Sequence, residues 1–178
     1  MSSCERDTPP ESAPTPAPAV TVSPEPVATR THPRVILEAI GPTRERLRVA
    51  ISDLKRIDVW ADLTGHLYEI ELDSRSGRAN TPEDGHLADA YFTGVVEGRA
   101  GGVVCDVMFF PAAVAADLAR WREYFARGVA AEAPPSARAF YGSLLAHELA
   151  HCRRGPRGEA VAQAWEERIR KALGSAGI

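Results

Sequence analysis

Two histidines one helical turn apart, with a glutamate directly after the first, stand in the run LLAHELAH at 144–151. On a helix, residues i and i+4 share a face, with Cβ atoms about 5–6 Å apart. Two imidazoles at that spacing can reach a single ion at about 2.0–2.1 Å. Glu148 points sideways from the ligand face, towards the ion's open position. A carboxylate there can take a proton from a water that the ion activates. H-E-x-x-H therefore predicts His147 and His151 as metal ligands, Glu148 as general base and Zn2+ as the ion.

A catalytic zinc usually has three protein ligands. Three carboxylates lie downstream: Glu159, Glu166 and Glu167. If the last two helices form a hairpin about GPRG (155–158), His151 falls near Ala162 and His147 near Glu166. Glu159 and Glu166 are seven residues apart and share a face, whereas Glu167 points away from both. Glu159 sits in a first turn, where the helix dipole favours a carboxylate. It is the preferred third ligand, with Glu166 as the alternative. Tyr141 and His86 could stabilise an oxyanion, packing or solvent exposure being the favoured reading for each.

The elements that must position these groups follow from periodicity. Ser136 can cap a helix running to about Arg154, with Phe140, Leu144, His147 and His151 along one stripe. A last helix from Glu159 to about Leu173 carries the stripe Val161, Trp165, Ile169 and Leu173. The run PAAVAADLARWREYFARG (111–128) predicts another helix, with Val114, Leu118, Trp121 and Phe125 on one face. GPTRERLRVAISDLKRI (41–57) predicts a helix too, whereas RVILEAI (34–40) fits strand or helix equally. VWADL and HLYEIELD alternate apolar and polar about Thr64-Gly65, a hairpin signal. AYFTGVV and GGVVCDVMFF add two strand-like runs. The sum is an α+β fold with a small antiparallel sheet of about four strands. Cys105 reads as a core residue of its strand, and Cys152 as a buried structural thiol about 100° off the histidine face.

Residues 1–33 contain eight prolines and no aromatic, a composition that cannot bury a core, and they form a disordered tail ahead of a domain at 34–178. The net charge of −3 gives no reason to expect a nucleic-acid partner. No apolar run approaches 18 residues, so no transmembrane segment is expected. Three cysteines are too few and too scattered for a disulfide framework. The sequence as it stands reads as cytoplasmic. The alternative is a cell-envelope lipoprotein, with a lipid anchor on Cys4, if the start codon is misassigned.

HELAH on a capped helix, then a glycine-containing turn and a helix opening GEAVAQAW, resembles the zincin metallopeptidases, and the gluzincin branch most. The resemblance covers about 35 residues. It implies His147 and His151 as zinc ligands, Glu148 as general base, a downstream glutamate as third ligand, and a peptide or protein as substrate. By the same similarity, GGVVCDVMFF would be an edge strand that pairs with an extended peptide. The interval to Glu159 is shorter than is common in that branch, and HCRRGPRGE lacks the third histidine of metzincins. The short interval favours an alternative function: a catalytically inactive zincin-like module that binds metal and acts in protein interaction.

Overall fold

The computed structural model describes residues 33–74, 86–95, 103–154 and 158–178, with the side chains of 91–95, 153 and 154 left undescribed. The expectations for the tail with Cys4, the polar loop after residue 74, the link between the last two strands and the GPR of the hairpin turn lie outside the described residues. The elements run β1 (Arg34–Leu37), α1 (Gly41–Arg56), α2 (Trp60–Thr64), β2 (Leu67–Ser74), β3 (Ala88–Val95), β4 (Val103–Phe109), α3 (Pro111–Ala126), α4 (Ala137–Arg154) and α5 (Glu159–Ser175). The fold is α+β, as the sequence predicts.

The four strands form one sheet in the order β1-β2-β4-β3. It is mixed rather than antiparallel: β1 pairs parallel with β2, β2 parallel with β4, and β3 alone runs antiparallel, against β4. Parallel pairing needs a crossover, and α1 with α2 supplies it between β1 and β2. The order also corrects the edge-strand expectation. VVCDVMF becomes β4, an interior strand held on both sides, and among the described residues β1 and β3 are the outer strands.

The predicted hairpin about Thr64-Gly65 does not form, because VWADL is the short helix α2 rather than a strand. Trp60 and Leu63 are buried in the core, and the Thr64 hydroxyl donates to the Trp60 carbonyl at 2.7 Å. A Cβ on Gly65 would come within 2.8 Å of the Ala61 carbonyl oxygen, so the turn closing this helix requires glycine. Alternation over five residues had matched a strand by coincidence.

Ile70, Leu72, Cys105, Val107 and Phe109 turn one face of the sheet towards the helices and are all buried. Across that face lies α4, packed against α1, α2, α5, β3 and β4. Its cap is as expected: Ser136 Oγ accepts from the Ala139 N–H at 3.0 Å. Burial extends around most of the helix, taking in Tyr141, Leu145, Ala146 and Leu149 besides the predicted stripe. That accounts for the uncharged residues flanking the histidines. Arg138 anchors the first turn by donating to both oxygens of buried Asp53 on α1, at 2.6 Å each.

The predicted hairpin of α4 and α5 is present. Gly142 permits the close approach, since a Cβ there would lie 2.7 Å from Leu173 Cδ1. Ile169 and Leu173 are buried as expected, but Val161 is exposed and Ala162 takes the buried position in the first turn. On α3, Val114 and Leu118 are buried, whereas Phe125 is exposed.

The cysteine reading needs one correction. Cys105 and Cys152 are both buried, as predicted, yet they form a disulfide across 47 residues with Cα atoms 5.9 Å apart. Helix α4 crosses β4 at this point, a meeting that spacing along the chain does not reveal. The last turn of α4 is thus covalently fixed to the sheet, one residue beyond His151.

Candidate metal centre

His147 and His151 project from α4 towards the start of α5, and their Nε2 atoms lie 3.0 Å apart. Glu159, in the first turn of α5, brings Oε2 to 3.1 Å from His151 Nε2 and Oε1 to 3.8 Å from His147 Nε2. One ligand atom from each of the three residues falls within 4.8 Å of the others. Tetrahedral coordination with bonds of about 2.0–2.1 Å separates neighbouring ligand atoms by roughly 3.3 Å, so this donor set fits a zinc-sized ion. Glu159 is 57% exposed and forms the solvent side of the cluster, against 14% for His147 and 19% for His151.

Glu166 occupies a different place. Its Oε2 lies 3.1 Å from Nδ1 of His147, on the far side of the ring from the cluster. An Nδ1–H donated to that carboxylate leaves Nε2 of the neutral ring as an acceptor facing the cluster, the form that ligates metal. The hairpin geometry correctly paired His147 with Glu166. The contact, however, is to the orienting nitrogen, and Glu159 is the carboxylate that faces both Nε2 atoms.

Charge and burial act on each group. Burial pulls the His147 pKa down, but the hydrogen bond with Glu166 and the charges of Glu148, Glu166 and Glu159 outweigh it and leave it raised. His151 is lowered by burial and by His147, against the pull of Glu159. Glu166 is held below the usual carboxylate range by its bond to His147, with burial opposing and Arg170 assisting. Glu148 is 5% exposed, and its pKa is pushed up to about 7. Burial is the main cause; His147 opposes it, and Asp89, Glu159 and Glu166 reinforce it.

The other residues singled out in the sequence fall elsewhere. Glu167 is exposed and pairs with Lys171 at 2.6 Å, as its direction on the helix predicted. Tyr141 is fully buried, stacks on Phe109 with centroids 6.2 Å apart, and its hydroxyl accepts from Arg46 at 3.5 Å. It is a core residue and not a group aimed at the cluster. His86 is exposed and paired with Asp89 at 2.7 Å. Two residues were missed. Asp89, at the start of β3, acts on Glu148 electrostatically, an influence between distant segments with no sequence signal. Arg170 lies 3.6 Å from Glu166, and its i+4 spacing could have revealed it.

No protein-family model, curated protein or solved structure matches the chain.

Proposed function

We propose that this protein is a zinc-dependent metallopeptidase, with His147, His151 and Glu159 as ligands and Glu148 as general base. The observation that carries this reading is the convergence of two Nε2 atoms and a carboxylate at 3.0–3.8 Å beside a buried glutamate. Zinc held there would supply Lewis acidity, which polarises a carbonyl and lowers the pKa of water. Glu148, with its pKa near 7, is suited to accept a proton and return it to the leaving amine near neutral pH. Glu166 keeps the His147 ring in the ligating tautomer. Among the described residues β3 has β4 on one side and no strand on the other. It replaces β4 as the strand whose open edge would receive an extended peptide.

The test is the zinc content of the purified chain, together with peptidase activity of wild type and Glu148→Gln. A wild type without stoichiometric zinc sinks the reading. The second reading, a metal-stabilised interaction module without catalysis, rests on the short interval from His151 to the exposed Glu159. It requires bound zinc, lower stability on chelation, and cleavage that does not differ between wild type and Glu148→Gln.

No helix among the described residues is long and apolar enough to cross a membrane. The Cys105–Cys152 bridge supports an oxidising compartment, hence the cell envelope over the cytoplasm, with Cys4 as the residue that would carry a lipid. Trapping thiols with an alkylating reagent in intact cells tests this: two protected cysteines are expected, and full labelling of both opposes it.

A further inference from the structure

Both oxygens of the Glu166 carboxylate are engaged. Oε2 meets His147 Nδ1 at 3.1 Å, and Oε1 meets Arg170 Nη1 at 3.6 Å. Arg170 is held from its other side, where its guanidinium carbon lies 5.3 Å from the centre of the Trp121 ring on α3. Trp121 is itself fixed, its Nε1–H donating to the Glu132 carbonyl at 3.2 Å. A continuous line of contacts therefore runs from α3 through Arg170 and Glu166 to a ring nitrogen of a cluster histidine.

An ion pair at i, i+4 on an exposed helix face contributes little. The neighbouring Lys171–Glu167 pair is of that kind, with side chains 71% and 57% exposed. Arg170 and Glu166 differ: they are 27% and 25% exposed, and their carboxylate continues into the cluster rather than into water. A carboxylate bound at one oxygen can rotate about its χ angles, and the ring that depends on it then swings with it. One drawn at both ends has fewer orientations open to it.

We propose that Arg170 is a positioning residue of the metal centre. By holding Oε1 of Glu166 it fixes the Oε2–Nδ1 bond, and that bond aims Nε2 of His147 at the ion. Trp121 is the shelf on which the guanidinium rests, so α3 takes part in shaping the site. The proposal rests on the metal-centre reading above.

The test uses the full chain. Zinc affinity is measured by competition with a chromophoric chelator, and the Nδ1–H resonance of His147 is followed by proton NMR in the metal-free protein. That resonance is identified by its loss in Glu166→Gln. Glu166→Gln is expected to weaken zinc binding about 10–100-fold and Arg170→Gln, acting one step further out, about 3–10-fold. Arg170→Lys should recover part of the loss, since it keeps the charge without the planar fork. The resonance should shift or broaden in Arg170→Gln and stay in place in Arg168→Gln, whose guanidinium lies over Trp165 instead. If Arg170→Gln fails to fold, Trp121→Leu carries the test, with a smaller loss of affinity and the same direction of shift. Wild-type affinity together with an unmoved resonance in these variants overturns the proposal. A wild type that binds no zinc overturns the metal reading instead, while the resonance still reports whether Arg170 governs the Glu166–His147 bond.

Discussion

Glu148, Glu159 and Glu166 gather at the seam of α4 and α5, whereas Glu69, Glu71, Asp73 and Asp106 gather on the sheet face opposite Ile70, Leu72, Cys105 and Val107. Both regions are acidic, and among the described residues only the seam brings three metal-binding groups within 4.8 Å of one another. Donor geometry separates them. Helical spacing stacks two imidazoles on one face, and the hairpin lays a carboxylate across both. A sheet instead spreads its side chains at period two on strands about 4.8 Å apart, so carboxylates there confront one another as like charges. The Glu71 pKa is raised, first by burial, with Asp106, Glu38, Asp73 and Glu69 adding to it as like charges. The number of acids does not make a site; convergence of unlike donors does.

The largest expected effect breaks the seam. His151→Ala or His147→Ala should weaken zinc binding by more than the roughly 10–100-fold typical of an outer partner, whereas Glu71→Gln on the sheet leaves it unchanged. Metal content after dialysis against a weak chelator checks both. Next is Glu148→Gln, which should retain zinc and lose peptide hydrolysis by about 10²–10⁴-fold, read from progress curves on a cleaved substrate.

Leu149 lies fully buried in α4. Leu149→Ala should destabilise the fold by about 2–5 kcal/mol, measured by the denaturant midpoint. Phe125→Ala on the exposed part of α3 should stay within about 0.5 kcal/mol.

The smallest effect belongs to the sheet face. Because the Glu71 carboxyl titrates above its ordinary 4.5 in the folded chain, the folded state binds more protons than the unfolded one just above that value. Its stabilising contribution is complete below pH 4.5 and is lost as pH rises through the raised value. Glu71→Gln should therefore raise the thermal midpoint slightly at pH 7–8 and leave it unchanged near pH 4. A gain that persists at pH 4 would remove the raised Glu71 titration as the cause.

What the sequence disclosed was local. Period 3.6 located α1, α3, α4 and α5, Ser136 announced its own helix, and HELAH placed two imidazoles one turn apart with a carboxylate beside them. Hairpin geometry even paired His147 with Glu166, though which nitrogen it met depends on a ring rotation that spacing does not encode. Features set by distant contacts were hidden. The parallel pairing of β2 with β4, the crossing that joins Cys105 to Cys152, and the approach of Asp89 to Glu148 all arise from tertiary packing. VWADL shows the opposite failure, a real local pattern too short to distinguish strand from helix.

The bridge between β4 and the end of α4 makes the intervening chain a closed covalent ring. All of α3 lies inside it, together with both histidines and Trp121. Closing 47 residues removes entropy from the unfolded chain worth roughly 4 kcal/mol at room temperature. Val114 and Leu118 seat α3 in the core and Trp121 packs against it, so the ring holds the shelf close to the helix it serves. The tether thus keeps the helix that bears His147 and His151 on the sheet, and shelf and histidines belong to one closed loop.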